Sequence, residues 1–156
     1  MPTTRRALLA GTASLAALAT LRAWAAHPRL LPQPGSLPAE LQAALGRGRA
    51  LVVLASTEGC PWCKLVRENY LAPLIGEGQS VLEIDVLGTA ALQDFAGAPT
   101  TQASFATALR LRVTPTVLFF GRGGTEAAGR LVGVPSTDFY GAYLQERLDA
   151  ANRAAA

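Results

Sequence analysis

The chain has only two cysteines, and they stand three positions apart in Cys60-Pro61-Trp62-Cys63, just behind the apolar run Leu51-Val52-Val53-Leu54-Ala55. A continuous apolar run of that length predicts a strand buried on both faces, and so a place in mid-sheet. Residues 56–59 supply a turn, and Pro61 stands in a first helical turn, where a missing N–H is tolerated. The cysteine pair therefore crowns a helix that follows a central strand. Helix starts offer unpaired N–H groups and the positive end of a dipole, and both favour a thiolate over a thiol. A C-x-x-C in that setting predicts thiol–disulfide exchange, with Cys60 exposed at the tip and Cys63 facing inward.

Two plainer readings carry less weight. A structural disulfide closing so short a loop removes little entropy from the unfolded chain. Zinc needs two further ligands, yet the single histidine, His27, lies far upstream in an unpatterned stretch. No metal site is expected.

The 156 residues open with Arg5-Arg6, run apolar over residues 7–21 and read Arg22-Ala23-Trp24-Ala25-Ala26 before the composition changes. A charged start, an apolar stretch and a small-x-small site predict an export signal over residues 1–26, cut near Ala25 or Ala26. The apolar stretch is shorter than the roughly 20 residues that span a bilayer. An uncleaved anchor is the alternative. The paired arginines resemble a twin-arginine signal, although ordinary secretory signals also begin with arginines. Losing Arg5, Arg6 and Arg22 from the 14 basic residues leaves 11 against 11 acidic ones. A near-neutral mature chain offers no electrostatic basis for binding nucleic acid or an anionic membrane. In a periplasmic or otherwise exported setting the thiols meet an oxidising compartment, so a partner keeps them reduced or they act as an oxidant.

Behind the signal, residues 27–36 are proline-rich and predict a flexible arm of low order. Residues 37–153 suffice for one domain with a proper core. Helical spacing of Leu37, Leu41 and Ala44 predicts a leading helix, closed by Gly46 and Gly48. The helix carrying the cysteines should place Cys63, Val66 and Tyr70 on one face and end near Leu71, because Pro73 disfavours helical geometry at Ala72. Residues 80–86 predict a second strand, parallel to the first because a helix separates them. Residues 87–100 form a small excursion with a turn at Gly97-Ala98-Pro99. Thr100 or Thr101 can cap a helix from Gln102 to about Arg110, with Phe105, Ala106 and Leu109 facing the sheet. Residues 113–120 and 126–132 read as strands joined by the loop Gly121-Arg122-Gly123-Gly124. Ser136 caps the closing helix, Asp138 suits its first turn, and Tyr140, Leu144, Leu148 and Ala151 form its apolar stripe. The order β-α-β-α-β-β-α after a leading helix predicts an α/β fold, a four-stranded mixed sheet sandwiched by helices.

With these features in this order, the chain resembles the exported thioredoxin-like (thioredoxin-fold) thiol:disulfide oxidoreductases that carry a C-P-aromatic-C motif. The resemblance covers residues 50 to 150 or so. It rests on the strand, Cys60-x-x-Cys63-Lys64, Thr114-Pro115-Thr116 opening the third strand, the glycine hairpin, and Val132-Gly133 before the last helix. It implies a cis bond before Pro115, packed beside the cysteines, which bares the backbone of Thr114 for an extended substrate. Without the family, Pro115 reads as an ordinary trans proline at a strand start. Gly133 either lines that groove by letting a backbone approach or is a plain turn glycine. Trp62 either covers the disulfide and helps dock partners or only shields the helix tip. Lys64 is read as a solvated helix residue, or else as easing thiolate formation.

One departure stands out. Thioredoxins carry a buried acid six positions ahead of the first cysteine, where this chain has Leu54. Glu58 is the nearest carboxylate in sequence, but it lies in the turn, and its charge would disfavour a thiolate at Cys60. The resemblance implies a monomer without cofactors that reduces disulfides in partner proteins through a Cys60/Cys63 cycle, with a membrane thiol carrier as electron donor. Cysteines of haem-attachment or sulfur-handling proteins are the implied targets. The alternatives are a disulfide oxidase or isomerase of the same fold, and a non-catalytic module that uses the thiols as soft metal ligands.

Overall fold

The structure is a computed structural model that describes residues 30–156. The expected export signal and His27 lie outside the described residues. A four-stranded sheet runs in the order β2-β1-β5-β6, with β1 at Leu51–Ser56, β2 at Ser80–Asp85, β5 at Thr116–Phe120 and β6 at Glu126–Val132. Strand β1 pairs parallel with β2 and antiparallel with β5, and all six of its residues are buried. It is the central strand that its apolar run predicts.

Successive residues of β1 feed two cores, because side chains alternate across a sheet. Val52 and Leu54 meet Val81, Val117 and Phe119 beneath the helix that follows the cysteines and beneath α5, Tyr140–Ala155. Leu51, Val53 and Ala55 meet Leu82, Ile84, Leu118 and Phe120 beneath α1, Leu37–Leu45, and α4, Gln102–Ala108. The mixed α/β sandwich expected from the element order is the fold observed. The excursion after β2 is a short hairpin of β3, Ala91–Gln93, and β4, Pro99–Thr101, around Gly97. Thr101 caps α4 by accepting the Ser104 N–H at 3.2 Å.

Three expectations are corrected. The helix carrying the cysteines does not stop at Leu71. It runs as α2, Pro61–Val66, through a π turn at Arg67–Leu71, into α3, Ala72–Gly76. Pro73 has no N–H for the regular ladder, and the wider turn, in which the Ala72 N–H reaches the Arg67 carbonyl, carries the chain past it. Burial of Leu71 and Leu74 in the first core favours that continuation. Ser136 does not cap the closing helix, which begins four residues later behind Phe139 without a side-chain cap. Residues 137–139 form a turn instead, where the Tyr70 hydroxyl donates to the Thr137 carbonyl at 3.2 Å.

The third correction concerns the arm. Among its described residues, Leu31 is fully buried in the first core. The Pro32 carbonyl accepts the Glu83 N–H of β2 at 2.9 Å, and the Gly35 carbonyl accepts that of Gln93 at 3.0 Å. Proline content suggested low order, but a buried leucine and these edge bonds hold the segment down.

Candidate active site

Strand β1 delivers the chain to a turn at residues 57–59. Gly59 lies there at φ 74°, a left-handed conformation that a glycine adopts without strain. Cys60 follows as the N-cap of α2 in an extended conformation, and its Sγ accepts the Cys63 N–H at 3.1 Å. The sulfur thus takes one of the donors that a helix start leaves unpaired. Pro61 occupies the first turn as expected. The two cysteines form a disulfide, with Cα atoms 5.2 Å apart. Cys63 is fully buried and Cys60 half-buried, so an incoming group can reach only the first sulfur.

The other wall of the site comes from the loop that leads into β5, whose first residue, Thr116, pairs with Ala55 near the end of β1. The Thr114–Pro115 peptide bond is cis, and the Thr114 hydroxyl stands 3.9 Å from the Cys60 sulfur. Thr116 Oγ1 donates to the Val113 carbonyl at 2.7 Å and pins this loop. Gly133, at φ 65°, donates its N–H to the Pro115 carbonyl at 2.8 Å. Residues separated by more than 50 positions are thereby brought to one place: Cys60, Cys63, Thr114, Pro115 and, through its bond to Pro115, Gly133. Trp62 is 52% exposed at the helix tip, and Val113 and Val132, which flank the Thr114–Pro115 loop and Gly133 in sequence, are also exposed.

A cavity of about 330 Å³ opens on the opposite flank of Cys60, lined by Glu58, Lys64 and Arg67 together with the turn and Pro61. Glu58 is solvated there, as its place in the turn predicts. Leu54 is buried in the apolar core, with no acid in its place.

The sequence reading missed a carboxylate. Glu83 sits in β2 as the register partner of Leu54, with its side chain only 9% exposed. Its Oε1 accepts the Ser56 hydroxyl at 2.5 Å and Arg67 Nη2 at 2.5 Å, while Oε2 accepts Arg67 Nε at 2.8 Å. The hydrogen bond to Glu83 raises the Arg67 pKa above its ordinary value, and burial pulls it the other way. A buried carboxylate needs such partners, because an unpaired charge in the interior is strongly disfavoured. The available signal was a glutamate amid Val81, Leu82 and Ile84 in a strand that has helices over both faces.

An accessible sulfur joined to a buried one, at a helix start and beside a cis-proline loop, can exchange its bond with another thiol. Fold and site define a thiol–disulfide oxidoreductase. The family model of the thioredoxin-like domain matches residues 37–147. The chain belongs to that family.

Solved structures agree on the fold. A DsbH oxidoreductase is 15% identical at a TM-score of 0.54, with 79% of this chain and 85% of that one covered. A thioredoxin-fold protein from Helicobacter pylori is 17% identical at 0.51, covering 85% and 92%. A thioredoxin h from poplar is 21% identical at 0.50, covering 69% and 85%. No curated protein sequence matches the chain.

Proposed function

We propose that the protein is an exported reductant of disulfides in partner proteins. In the reduced state the Cys60 thiolate attacks one sulfur of a partner disulfide, that S–S bond breaks, and the other partner sulfur leaves as a thiolate that takes up a proton. Cys63, once deprotonated, then attacks the Cys60 sulfur of the mixed disulfide and releases the second partner thiol. Two electrons pass to the partner, and the Cys60–Cys63 disulfide is left behind. The observation that carries this reading is the division of labour between the sulfurs. One is reachable and touches the Thr114 hydroxyl, while the other is fully buried one helical turn below.

Thr114, Pro115 and Gly133 serve as the backbone groove for an extended partner segment. Trp62, beside them, supplies an apolar contact. The reducing direction draws support from compactness, since the connection from β2 to β5 holds only a hairpin and the seven-residue α4, with no helical insertion of the kind exported oxidases of this fold carry. A membrane thiol carrier would return the disulfide to the dithiol, and the export signal over residues 1–26 would place the protein beside it.

A Cys63→Ala variant expressed in the exporting compartment tests the reading. Covalent partners held on Cys60 of the variant, together with a reduction potential of the parent Cys60/Cys63 couple towards the thioredoxin end of the scale, are the expected result. A strongly oxidising potential would reverse the direction of the cycle. An empty trap together with no disulfide reduction in vitro would remove the enzymatic reading.

A further inference from the structure

Positions 60, 64 and 67 are separated by four and three residues, so their side chains share one face of the helix. That face lines the cavity beside the Cys60 sulfur. The two cations on it differ in character. Lys64 is exposed at the surface, whereas the Arg67 guanidinium is largely covered, with 22% of its side chain accessible. Glu83 holds the Nε and Nη2 edge of that guanidinium, and Ser56 in turn holds Glu83. The Nη1 edge is left unclaimed by Glu83. Arg67 lines the same cavity as Cys60, and Glu83 does not, so the cationic member of the pair is the one that shares a cavity with the sulfur.

We propose that Arg67 is a positioning residue of the exchange reaction: anchored by Glu83 and Ser56, its guanidinium is a fixed cation that favours the thiolate form of Cys60. A cation held in place by buried partners acts more strongly than a mobile surface lysine, because it is less screened and loses no side-chain freedom when the thiolate forms. The other charges near the sulfur are Glu58 in the turn and Lys64 on the helix, with Glu68 beside Arg67. The Thr114–Pro115 loop brings no titratable group to this sulfur. Glu58 opposes the effect, so the anchored cation offsets it. This proposal rests on the reading of Cys60 as the attacking thiol.

The experiment uses the reduced protein carrying Cys63→Ala, which leaves one thiol. The rate of alkylation by iodoacetamide is followed against pH, and the midpoint of the curve reports the acidity of Cys60. Arg67→Gln should move the midpoint up by about half a unit to one unit, as expected for a partly exposed charge lining the same cavity. Glu83→Gln, which keeps a hydrogen-bond acceptor for Arg67 but removes the counter-charge, should move it down. Arg67→Lys should restore most of the parent value.

A purely structural role predicts no such opposition of sign. The proposal is overturned if the Arg67→Gln midpoint fails to rise or the Glu83→Gln midpoint fails to fall. Should Arg67→Gln not fold, the double variant Arg67→Gln/Glu83→Gln leaves no unpaired buried charge, and its midpoint must exceed that of Glu83→Gln alone. A parent protein that reduces no disulfide, with a Cys63→Ala variant that traps no partner, would overturn the proposed function while leaving these midpoints standing. Unmoved midpoints in a protein that turns over would overturn only the positioning role.

Discussion

The two ends of β1 are finished in opposite ways. At its start, Ala50 is held by neutral amides: its N–H donates to Asn152 Oδ1 at 2.9 Å, and its carbonyl accepts Gln79 Nε2 at 2.5 Å. Asn152 and Gln79 are themselves joined at 3.2 Å, which ties α5 to the head of the central strand. At its finish, Ser56 meets a charged pair, and the chain turns at once into the cysteines. Neutral amides satisfy backbone groups at little electrostatic expense, whereas a buried ion pair is at best a modest source of stability. The contrast teaches that one end of the strand is built for holding and the other for chemistry.

The strongest way to break the comparison is at the cysteine end. Cys60→Ser should reduce disulfide-reducing turnover by at least about a hundredfold in an insulin-reduction assay, since the nucleophile itself is gone. Turnover near that of the parent would sink the assignment. Next comes Arg67→Ala, which leaves Glu83 buried without its cation. Loss of one partner of a buried pair costs about 3–5 kcal/mol, and the partial exposure of Arg67 brings the expectation to about 2 kcal/mol in urea denaturation.

At the amide end, Asn152→Ala removes two hydrogen bonds and should cost about 1–2 kcal/mol by the same measurement. Turnover should stay at the parent level, which sharpens the distinction between the ends. Tyr140→Phe is the smallest change. The Tyr140 hydroxyl is buried without a hydrogen-bond partner among the described residues, and burial holds its pKa well above the ordinary tyrosine value. Removing it should leave stability unchanged or raise it by up to about 1 kcal/mol, with no new pH dependence between pH 5 and 9. A loss of more than that would point to a hidden partner for the hydroxyl.

What could be read from the sequence was whatever depends on neighbours in the chain. The apolar run of β1, the turn, Pro61 at the helix start and the stripe of Tyr140, Leu144, Leu148 and Ala151 are local patterns, and all four have the form they predict. The cis bond at Pro115 came from resemblance, because nothing local distinguishes it from a trans proline. Glu83 and Arg67 stand 16 positions apart, and their meeting requires knowing that β2 lies beside β1 with a helix above it. The π turn escaped for a related reason. A proline argues locally for a helix end, while the burial of Leu74 that favours continuation is a tertiary effect. Leu31 was likewise hidden among prolines, since the pair Leu30-Leu31 is too short to carry a periodicity.

The anchoring of the amino-terminal arm has a consequence for the border of the sheet. Strand β2 is an outer strand, and an outer strand with free donors invites another polypeptide to add alongside. The Pro32 carbonyl occupies the Glu83 donor, and a proline there has no N–H of its own with which to extend the ladder. The arm is therefore a selvedge on that side of the sheet, and a protein trimmed back to Ser36 would present a raw border prone to sticking.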